Sequence, residues 1–388
     1  MRPILIIGAG TSGLTLAQGL RLHSIPFRIF EKRPNALTAQ GHRFRLSRET
    51  LQAIRCVLSP ELQVLFDRTA AQSNAFKPRY VDAQEFRFEL PVRVEGVDSQ
   101  PVDRSWLRAL LMVGIEGDVE YGKEFESSQV LEDGDVEVQF TDGTSTRGPM
   151  LVGADGVHSK VRGQLQPQRQ LLDLERWIIW GRTPLTRDLR EGLSADTLSW
   201  YMVQDEAANM QVVVEPMIWT SEAREASRGR LPHFEDYIYW CVCIPSGEES
   251  IPQSAADRMA LLERVTETWH PEINLVLRSA PAELSSCIPV LSSAPDIGLS
   301  ESEDTGRVTI VGDAAHVMSP MGGSGASTAV QNAADLAATI ATSGSLRDFE
   351  ARMAERARER IEHSFQGGKK FWKGKEWHEY RAATTAGD

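Results

Sequence analysis

The first 33 residues, MRPILIIGAGTSGLTLAQGLRLHSIPFRIFEKR (1–33), form the segment around which the rest of the chain is organised. An apolar run at 4–7 leads into the glycine-rich motif GAGTSG at 8–13. An amphipathic stretch follows at 14–22, and a second apolar run at 27–30 ends on Glu31. Strand, glycine-rich turn, helix and strand in this order predict a βαβ unit that binds a dinucleotide.

Each glycine of the motif has a separate expected task. Gly8 permits the tight turn out of the strand, Gly10 lets a pyrophosphate approach the backbone, and Gly13 lets the helix pack closely on the sheet. The first helical turn, which contains Ser12, offers N–H groups and a partial positive charge to the phosphates.

The acidic residue after the second strand indicates which nucleotide is bound. Glu31 lies about 20 residues beyond the motif, where a carboxylate accepts hydrogen bonds from ribose hydroxyls. Its charge would repel a 2′-phosphate, so the site favours FAD or NAD over NADP. The basic side chain of Lys32, also a candidate cofactor contact, weakens that argument.

Composition limits the class of protein. The 388 residues suffice for two domains, or for one large α/β domain with an insertion. A net charge of −12 argues against binding to nucleic acid. No apolar run approaches the ~20 residues that span a bilayer. The four cysteines lack metal-binding spacing and indicate a reduced, cytoplasmic protein. The protein is expected to be a monomer or a homodimer.

Periodicity predicts the other elements. A helix from Arg48 to about Leu58 is expected with Ser47 as its cap, and a helix over 102–111 with Asp103 as its cap. Alternation predicts strands at 41–46, 136–140 and 211–214, and an antiparallel strand within 76–94, as seen for example at 86–90. The aromatic-rich middle, about 171–288, predicts a second, mostly antiparallel sheet. Helices are expected at 326–341, at 346–365 and at 261–269, the last ended by Pro271.

Two further motifs follow. They are LVGADGVHSKVR at 151–162 and VGDAAH at 311–316, the second continuing into PMGGSG at 320–325. With the N-terminal motif, their order resembles the class A FAD-dependent monooxygenases typified by para-hydroxybenzoate hydroxylase. The resemblance implies an α/β fold: an FAD-binding Rossmann-like domain of the glutathione-reductase type, an inserted antiparallel-sheet substrate domain and a C-terminal helix.

The resemblance also implies domain boundaries. The FAD-binding domain is expected to be discontinuous, at 1–75, 100–170 and 286–345. The substrate-binding sheet is expected at 76–99 and 171–285, and a C-terminal helical segment at 346–388.

Site residues carried over from the family complete the cofactor assignment. Glu31 would hold the FAD ribose, and Asp155 would serve both FAD and the nicotinamide cofactor. Asp313 would bond the ribityl chain, and Arg104 would lie at the flavin. Either Arg43 or Arg45 matches an arginine that the family places near the cofactor.

The loop before the alanine-rich helix is expected to contact the flavin ring. Its N–H groups can stabilise negative charge on a reduced flavin, and Pro320 fixes the entry of the loop. The candidate residues of this flavin loop are Pro320, Gly323, Ser324, Gly325 and Ala326. The chain departs from the family pattern at Ser327, where Asn is usual, and at Asn332, where Asp is usual.

Residues of the aromatic-rich middle are the substrate candidates. Trp180, Arg182, Tyr201 and Met202 lie in strands expected to face the flavin. Neither His158 nor His316 is assigned a catalytic role, because loop histidines more often bond backbone groups, and no catalytic base is identified.

The sequence therefore predicts an FAD monooxygenase that uses O2 and a transiently bound NADPH or NADH, since no second GxGxxG appears. A flavin C4a-hydroperoxide would hydroxylate or epoxidise an aromatic or apolar small molecule, as in secondary metabolism. Baeyer–Villiger oxidation uses the same intermediate and stays open. A halogenase is disfavoured because residues 177–180, WIIW, do not match its Trp-x-Trp-x-Ile-Pro signature. A non-catalytic binding protein would not need the intact loop at 320–325.

Overall fold

The computed structural model describes residues 2–34, 43–73, 76–92, 99–247, 250–298 and 306–383. Within these ranges the strands are β1 Ile4–Ile7, β2 Phe27–Glu31, β3 Arg43–Ser47, β4 Arg79–Asp82, β5 Ser99–Asp103, β6 Val119–Tyr121, β7 Phe125–Val130, β8 Val136–Phe140, β9 Ser145–Gly148, β10 Leu151–Gly153, β11 Leu172–Pro184, β12 Tyr201–Asp205, β13 Met210–Met217, β14 Tyr237–Pro245, β15 Ser286–Ser292 and β16 Val308–Ile310. The α-helices are α1 Thr11–Leu22, α2 Arg48–Val57, α3 Pro60–Thr69, α4 Arg104–Met112, α5 Lys160–Leu165, α6 Arg187–Gly192, α7 Ser221–Ala226, α8 Ala255–Val265, α9 Pro271–Arg278, α10 Gly325–Ala341 and α11 Leu346–Trp372.

The two strands of the N-terminal motif belong to a five-stranded parallel sheet. Its strand order is β16-β10-β1-β2-β6, and all four pairings are parallel. β1 and β10 are buried throughout. The side chains that cover the sheet come from helices and also from β8, whose Phe140 ring lies 4.8 Å from the Phe30 ring of β2. The three motifs follow β1, β10 and β16, three adjacent strands, so they meet at the carboxyl edge of this sheet, where open α/β sheets bind ligands.

The aromatic-rich middle forms a six-stranded sheet of order β15-β11-β14-β13-β12-β4. It is antiparallel apart from the β12–β4 pair. Because side chains alternate along each strand, the sheet has two distinct faces. The outer face, with Ile179 and Trp240, packs against α8 and α9. The inner face, with Ile178 and Tyr239, packs against α11.

Two smaller sheets complete the architecture. β3 pairs with β5 in a two-stranded ribbon, and β7, β8 and β9 form an antiparallel meander. The predicted caps are confirmed: Ser47 accepts a hydrogen bond from the Thr50 N–H at the start of α2, and Asp103 accepts one from the Trp106 N–H at the start of α4.

The strand predicted within 76–94 is confirmed in part, and the predicted effect of Pro271 is wrong. The strand is β4 at 79–82, and it pairs parallel with β12 rather than antiparallel. It does not reach 86–90, because the chain turns directly after β4, where the Asp82 carboxylate accepts from the N–H groups of Gln84 and Glu85. Pro271 does not end a helix but begins α9, since proline lacks the N–H that a first helical residue leaves unused. The preceding helix already ends at Val265.

The predicted domain boundary at 285/286 is also misplaced. Strand β15, which begins at Ser286, pairs with β11 and so belongs to the six-stranded sheet. The remaining boundaries stay a prediction. The part of the predicted strand at 41–46 that covers residues 41 and 42 lies outside the described residues.

Candidate functional site

The glycine-rich turn between β1 and α1 has the geometry that its sequence predicts. Gly8 has φ +107°, and a Cβ there would lie 2.4 Å from the Ala154 carbonyl oxygen. A Cβ on Gly13 would lie 2.1 Å from the Gly8 carbonyl oxygen. A Cβ on Gly10, in contrast, would meet no atom within 4 Å. Packing therefore requires glycine at two positions, and at Gly10 it leaves the space into which a phosphate could approach.

The starts of α1 and α10 differ from those of the other α-helices in the described residues. Each of the others begins at a side chain that accepts a backbone N–H, for example Ser59 of α3 and Ser345 of α11. Neither Gly10 nor Ser324, which precede α1 and α10, provides a side-chain cap. These two helix starts follow the first and third motifs, so their N–H groups remain available to an anionic ligand.

Glu31 lies beside the glycine turn. One carboxylate oxygen accepts from the Ala9 N–H at 3.0 Å, and the other accepts from the Arg33 N–H at 3.0 Å. Arg108 Nη2 lies 3.9 Å from the Glu31 carboxylate. The carboxylate is thus held at the carboxyl end of β2, beside the glycine turn. A ribose contact for Glu31 stays a prediction. The adjacent side chain of Lys32 is exposed.

Arg104 and Asp313 come from distant parts of the sequence and interact electrostatically. Arg104 begins α4, and Asp313 lies in a short 3-10 turn that follows β16. Burial raises the pKa of the Asp313 carboxyl, while the charges of Arg104 and Arg162 oppose that rise. Burial lowers the pKa of Arg104, which Asp313 partly offsets. The Arg104 side chain nevertheless keeps accessible surface, as expected of a group that lines a cleft.

Hydrogen bonds from its own side chains fix the conformation of the second motif. The Asp155 carboxylate accepts from the Ser159 hydroxyl at 2.5 Å and the Lys160 N–H at 2.8 Å, and so caps the start of α5. Arg162 is buried and donates to the carbonyls of Val157 at 2.7 Å and Ala314 at 3.1 Å. Arg162 thereby links the second motif to the third. A cofactor contact for Asp155 stays a prediction.

Arg43 and Arg45 lie side by side on β3 and both form ion pairs with Glu215 of β13. The Glu215 side chain is almost fully buried. Arg45 also donates to Ser99, and its guanidinium lies 4.0 Å from the centre of the Trp200 ring. Burial lowers the pKa of Arg43 to about 10 and that of Arg45 to about 9, so both stay charged at neutral pH. The structure therefore brings both candidates to the inner face of the six-stranded sheet.

The four substrate candidates separate onto two faces. Trp180 and Arg182 lie two residues apart on β11 and share the inner face; Arg182 lies 3.5 Å from the Asp103 carboxylate and over the Tyr237 ring. Met202 also lies on the inner face, paired with Val213. Tyr201 does not lie on the inner face. It is the neighbour of Met202 on β12, so its side chain points to the outer face.

The placement of Tyr201 on the outer face excludes it from the substrate set. Its ring is fully buried and packs edge-on against Phe86 and Phe88. The reason is the two-residue period of a strand, since neighbours on β12 cannot face the same side.

Sequence reasoning missed several inner-face residues. Glu215, Trp200 and Tyr239 contact Arg43 or Arg45, and none of them was a candidate. A signal was present for Glu215, which is a lone carboxylate after the valine run at 212–214. A buried carboxylate is stable only with cationic partners, but the sequence does not identify arginines so distant along the chain.

His316 is part of a buried hydrogen-bonded chain under the third motif. Its Nε2 lies 2.8 Å from Asn332 Nδ2, and Asn332 Oδ1 accepts from Arg356. Because Arg356 can only donate, the Asn332 amide must donate to Nε2, which requires a neutral imidazole. Burial lowers the pKa of His316 to about 4, in agreement. His316 therefore bonds a side chain rather than a backbone carbonyl, and Asn332 positions it.

The flavin-loop candidates follow Met318, which packs with Met321 against the inner-face cluster of the six-stranded sheet. Residues 320–322 form a 3-10 turn, and Gly323 has φ +60° with open space around its Cβ position. Ser327, at the start of α10, lies within 3.4 Å of the Arg45 carbonyl oxygen and the Ser47 nitrogen. The described residues contain no group of three or more side chains that could hold a metal ion, and none of their helices is long and apolar enough to cross a membrane.

Comparison with known proteins agrees with this geometry. An FAD-binding domain family matches residues 299–352. A dual O-methyltransferase/FAD-dependent monooxygenase of Phaeosphaeria nodorum is 32% identical over 90% of this chain, but only over 41% of its own length. An FAD-dependent monooxygenase of Emericella nidulans is 27% identical, with 87% of this chain and 86% of the relative covered.

The fold has close counterparts among solved structures. A putative FAD-containing monooxygenase from Photorhabdus luminescens superposes with a TM-score of 0.81 at 25% identity, covering 96% of this chain and 99% of the other. HpxO of Klebsiella pneumoniae, solved with FAD, has a TM-score of 0.78 at 19% identity over 96% of this chain and 91% of that one, which shows the fold alone.

These findings define the class first: a mixed α/β fold shared with FAD-dependent monooxygenases. The chain is a homologue of those flavoproteins, and the resemblance to the class A monooxygenases predicted from its three motifs is confirmed. The chain spans less than half the length of the dual-function relatives that it matches.

Proposed function

We propose that this chain is an FAD-dependent monooxygenase that uses O2 and NADH or NADPH to oxygenate an aromatic or apolar small molecule. The observation that carries the proposal is the pair of α-helices without side-chain caps, α1 and α10. Their starts follow the first and third motifs. One is suited to the pyrophosphate of a dinucleotide and the other to the electron-rich edge of a reduced flavin.

The residues present fit FAD. The space over Gly10 would receive the pyrophosphate, and Glu31 at the end of β2 would accept from the ribose. Asp313 would bond the ribityl chain, with Arg104 facing it across the cleft. When bound, FAD supplies the redox chemistry, accepting a hydride from the nicotinamide cofactor and activating O2. The protein orients it and keeps water away.

The loop at 320–325 would hold the flavin ring toward the substrate. Met318 and Met321, which flank its start, pack with the inner-face cluster of the six-stranded sheet. A substrate bound between this loop and Trp180 would therefore lie against both the cofactor and an apolar wall. Hydroxylation or epoxidation in secondary metabolism is the proposed reaction, and relatives named FAD-dependent monooxygenases support that class.

The first test is the visible absorption spectrum of the purified chain after reconstitution with FAD. We expect two flavin bands that bleach when NADPH or NADH is added without oxygen. A chain that stays colourless after reconstitution would contradict the proposal, and so would bound flavin that neither nucleotide reduces.

A substitution tests the site directly. Asp313→Ala should lose most of the bound FAD while the chain remains folded, because our proposal assigns the carboxylate to the ribityl chain of the cofactor and not to the core. Asp142→Ala is the control, since Asp142 lies on the exposed β8–β9 turn and pairs with Lys123. Circular dichroism would confirm folding of both. An Asp313→Ala protein that stays fully yellow would refute the ribityl assignment.

A further inference from the structure

Two adjacent glycines lie inside the longest helix of the described residues. Helix α11 runs from Leu346 to Trp372, and Gly367 and Gly368 both precede its last turn or begin it. A glycine in a helix interior costs about 1 kcal/mol relative to alanine, because it has more backbone freedom to lose. The pair therefore weakens the helix, and the space around it must be examined for a reason.

Packing requires glycine at only one of the two positions. A Cβ on Gly367 would lie 2.8 Å from the carbonyl oxygen of Met321, which is closer than real Cβ contacts allow. A Cβ on Gly368 would meet its nearest atom, in the Trp372 ring, at 3.8 Å, an ordinary van der Waals distance. The oxygen near Gly367 belongs to the backbone, so it cannot rotate away as the end of a long side chain can.

Met321 lies in the middle of the turn that begins the flavin loop. Residues 320–322 form this 3-10 turn, and a second close contact joins it to α11: a Cβ on Gly322 would lie 3.3 Å from the Ser364 Cβ. A Cβ on Gly323, in contrast, would meet no atom within 4 Å. The turn thus rests on the backbone of α11 on one side and leaves the loop open at Gly323.

Helix α11 is held on both sides of this contact. Before Gly367, Arg356 donates to the side chain of Asn332, which is buried in α10. After Gly367, the Trp372 carbonyl accepts from the Asn209 side chain at 2.8 Å, in the turn between β12 and β13. Because the helix is bonded to two separate parts of the fold, an added Cβ at 367 is expected to displace the loop rather than the helix.

We propose that Gly367 is a positioning residue of the flavin loop. Its contact with the Met321 carbonyl sets how far residues 320–325 stand from α11, and so where their N–H groups lie relative to the flavin ring. Donors that stabilise developing charge must be held within about 0.5 Å of their productive positions. This inference rests on the proposed function, which assigns the loop to the flavin.

The test compares two matched variants, Gly367→Ala and Gly368→Ala, as FAD-loaded proteins. Both add one methyl group to the same helix and raise its helix propensity equally. We expect Gly367→Ala to weaken the binding of reduced relative to oxidised flavin at least tenfold, which lowers the midpoint potential of a two-electron couple by about 30 mV. Gly368→Ala should leave the potential unchanged. Anaerobic titration against a reference dye measures both potentials.

The circular dichroism of the visible flavin bands is the second measurement, because it reports the surroundings of the ring without a redox reaction. We expect these bands to change in Gly367→Ala and to stay unchanged in Gly368→Ala. Equal potentials together with equal flavin bands in the two variants would overturn the inference. So would a shift in Gly368→Ala as large as that in Gly367→Ala.

A second set of variants decides the question if Gly367→Ala does not fold. Gly322→Ala adds a methyl group on the loop side of the same interface and should lower the potential in the same direction. Adding Ser364→Gly removes the facing Cβ and should restore most of the potential, whereas Ser364→Gly alone should not change it. A normal potential in Gly322→Ala, or no recovery in the double variant, would overturn the role of the spacing between helix and loop.

Failure of the proposed function gives a different result. If the unmodified chain retains no FAD after reconstitution, the loop has no flavin to position, and both proposals are refuted. If the unmodified chain binds a reducible FAD but the Gly367→Ala and Gly368→Ala proteins behave alike, only the inference about Gly367 is refuted.

Discussion

The two faces of the six-stranded sheet are built from the same strands but differ in how their polar groups are satisfied. On the outer face Trp240 is fully buried, and its N–H is bonded to Thr183, whose hydroxyl in turn donates to the Val276 carbonyl at 2.6 Å. On the inner face Trp180 is half-buried, and its N–H has no partner in the described residues. The phenol of Tyr201 is an exception on the outer side, since it also lacks a partner.

This difference indicates which face of the sheet stabilises the fold and which face is available to bind a ligand. Complete packing and paired polar groups maximise stability. Unpaired donors reduce stability and are retained where a ligand uses them. We therefore expect substitutions on the outer face to change the free energy of unfolding, and substitutions on the inner face, apart from those at the buried ion pairs of Glu215, to change binding.

The largest expected effect is on the outer face. Trp240→Ala should lower the free energy of unfolding by about 3–5 kcal/mol, because it opens a large cavity in the core. The ring fits because its cross-strand partner is Gly181, where a Cβ would lie 2.2 Å from a ring atom. Urea denaturation followed by circular dichroism would measure the loss. Trp200→Ala, which removes a half-buried ring on the inner side, should cost less than half as much; an equal cost would contradict the comparison.

The ion pairs of Glu215 are the inner-face feature with the largest expected effect on stability. Glu215→Gln should cost about 3 kcal/mol, because two buried guanidinium groups lose their counter-charge. Replacing the whole group, with Arg43→Met and Arg45→Met added to Glu215→Leu, should recover most of that loss in urea denaturation, since no buried charge remains. A triple variant as unstable as Glu215→Gln would show that the ion pairs themselves stabilise the fold.

The smallest effects come from single hydroxyls on the two faces. Thr183→Val should cost about 2 kcal/mol, because the Trp240 N–H and the Val276 carbonyl both lose their partner. Ser286→Ala should change stability by less than about 0.5 kcal/mol, because its hydroxyl has no partner to lose. Chemical denaturation of both variants would measure the two losses in free energy of unfolding. A loss for Ser286→Ala as large as that for Thr183→Val would contradict the difference between the two faces.

Local sequence signals were sufficient to predict the parallel sheet. Strand β1, the turn at Gly8 and the caps at Ser47 and Asp103 follow from residues close together in sequence. The wrong predictions share a different cause. Alternation within 76–94 indicated a strand, and β4 forms there, but the turn that Asp82 stabilises ends it before 86–90, where the rings of Phe86 and Phe88 pack over Tyr201 instead.

The candidate site was likewise predictable where it depends on residues that follow a strand, and not where it depends on long-range contacts. The glycines of the first motif, Glu31 and Asp313 were identified because each follows a strand of the parallel sheet. The shared partner of Arg43 and Arg45 was not, because Glu215 lies 170 residues beyond Arg45 in the sequence. Likewise, sequence alone left Tyr201 and Met202 together, whereas strand register sends them to opposite faces.

The sequence by itself determined the resemblance to FAD-dependent monooxygenases and the strand ends at which the candidate cofactor residues stand, because these depend on short-range backbone chemistry: glycine turns, caps and apolar strands. Only the tertiary structure decided which polar groups meet. It paired Arg162 with the carbonyl groups of the third motif, joined His316 to Arg356 through Asn332, and placed Glu215 between two arginines. Such contacts depend on how distant segments pack, and burial then makes each unpaired or excess charge costly enough to define a site.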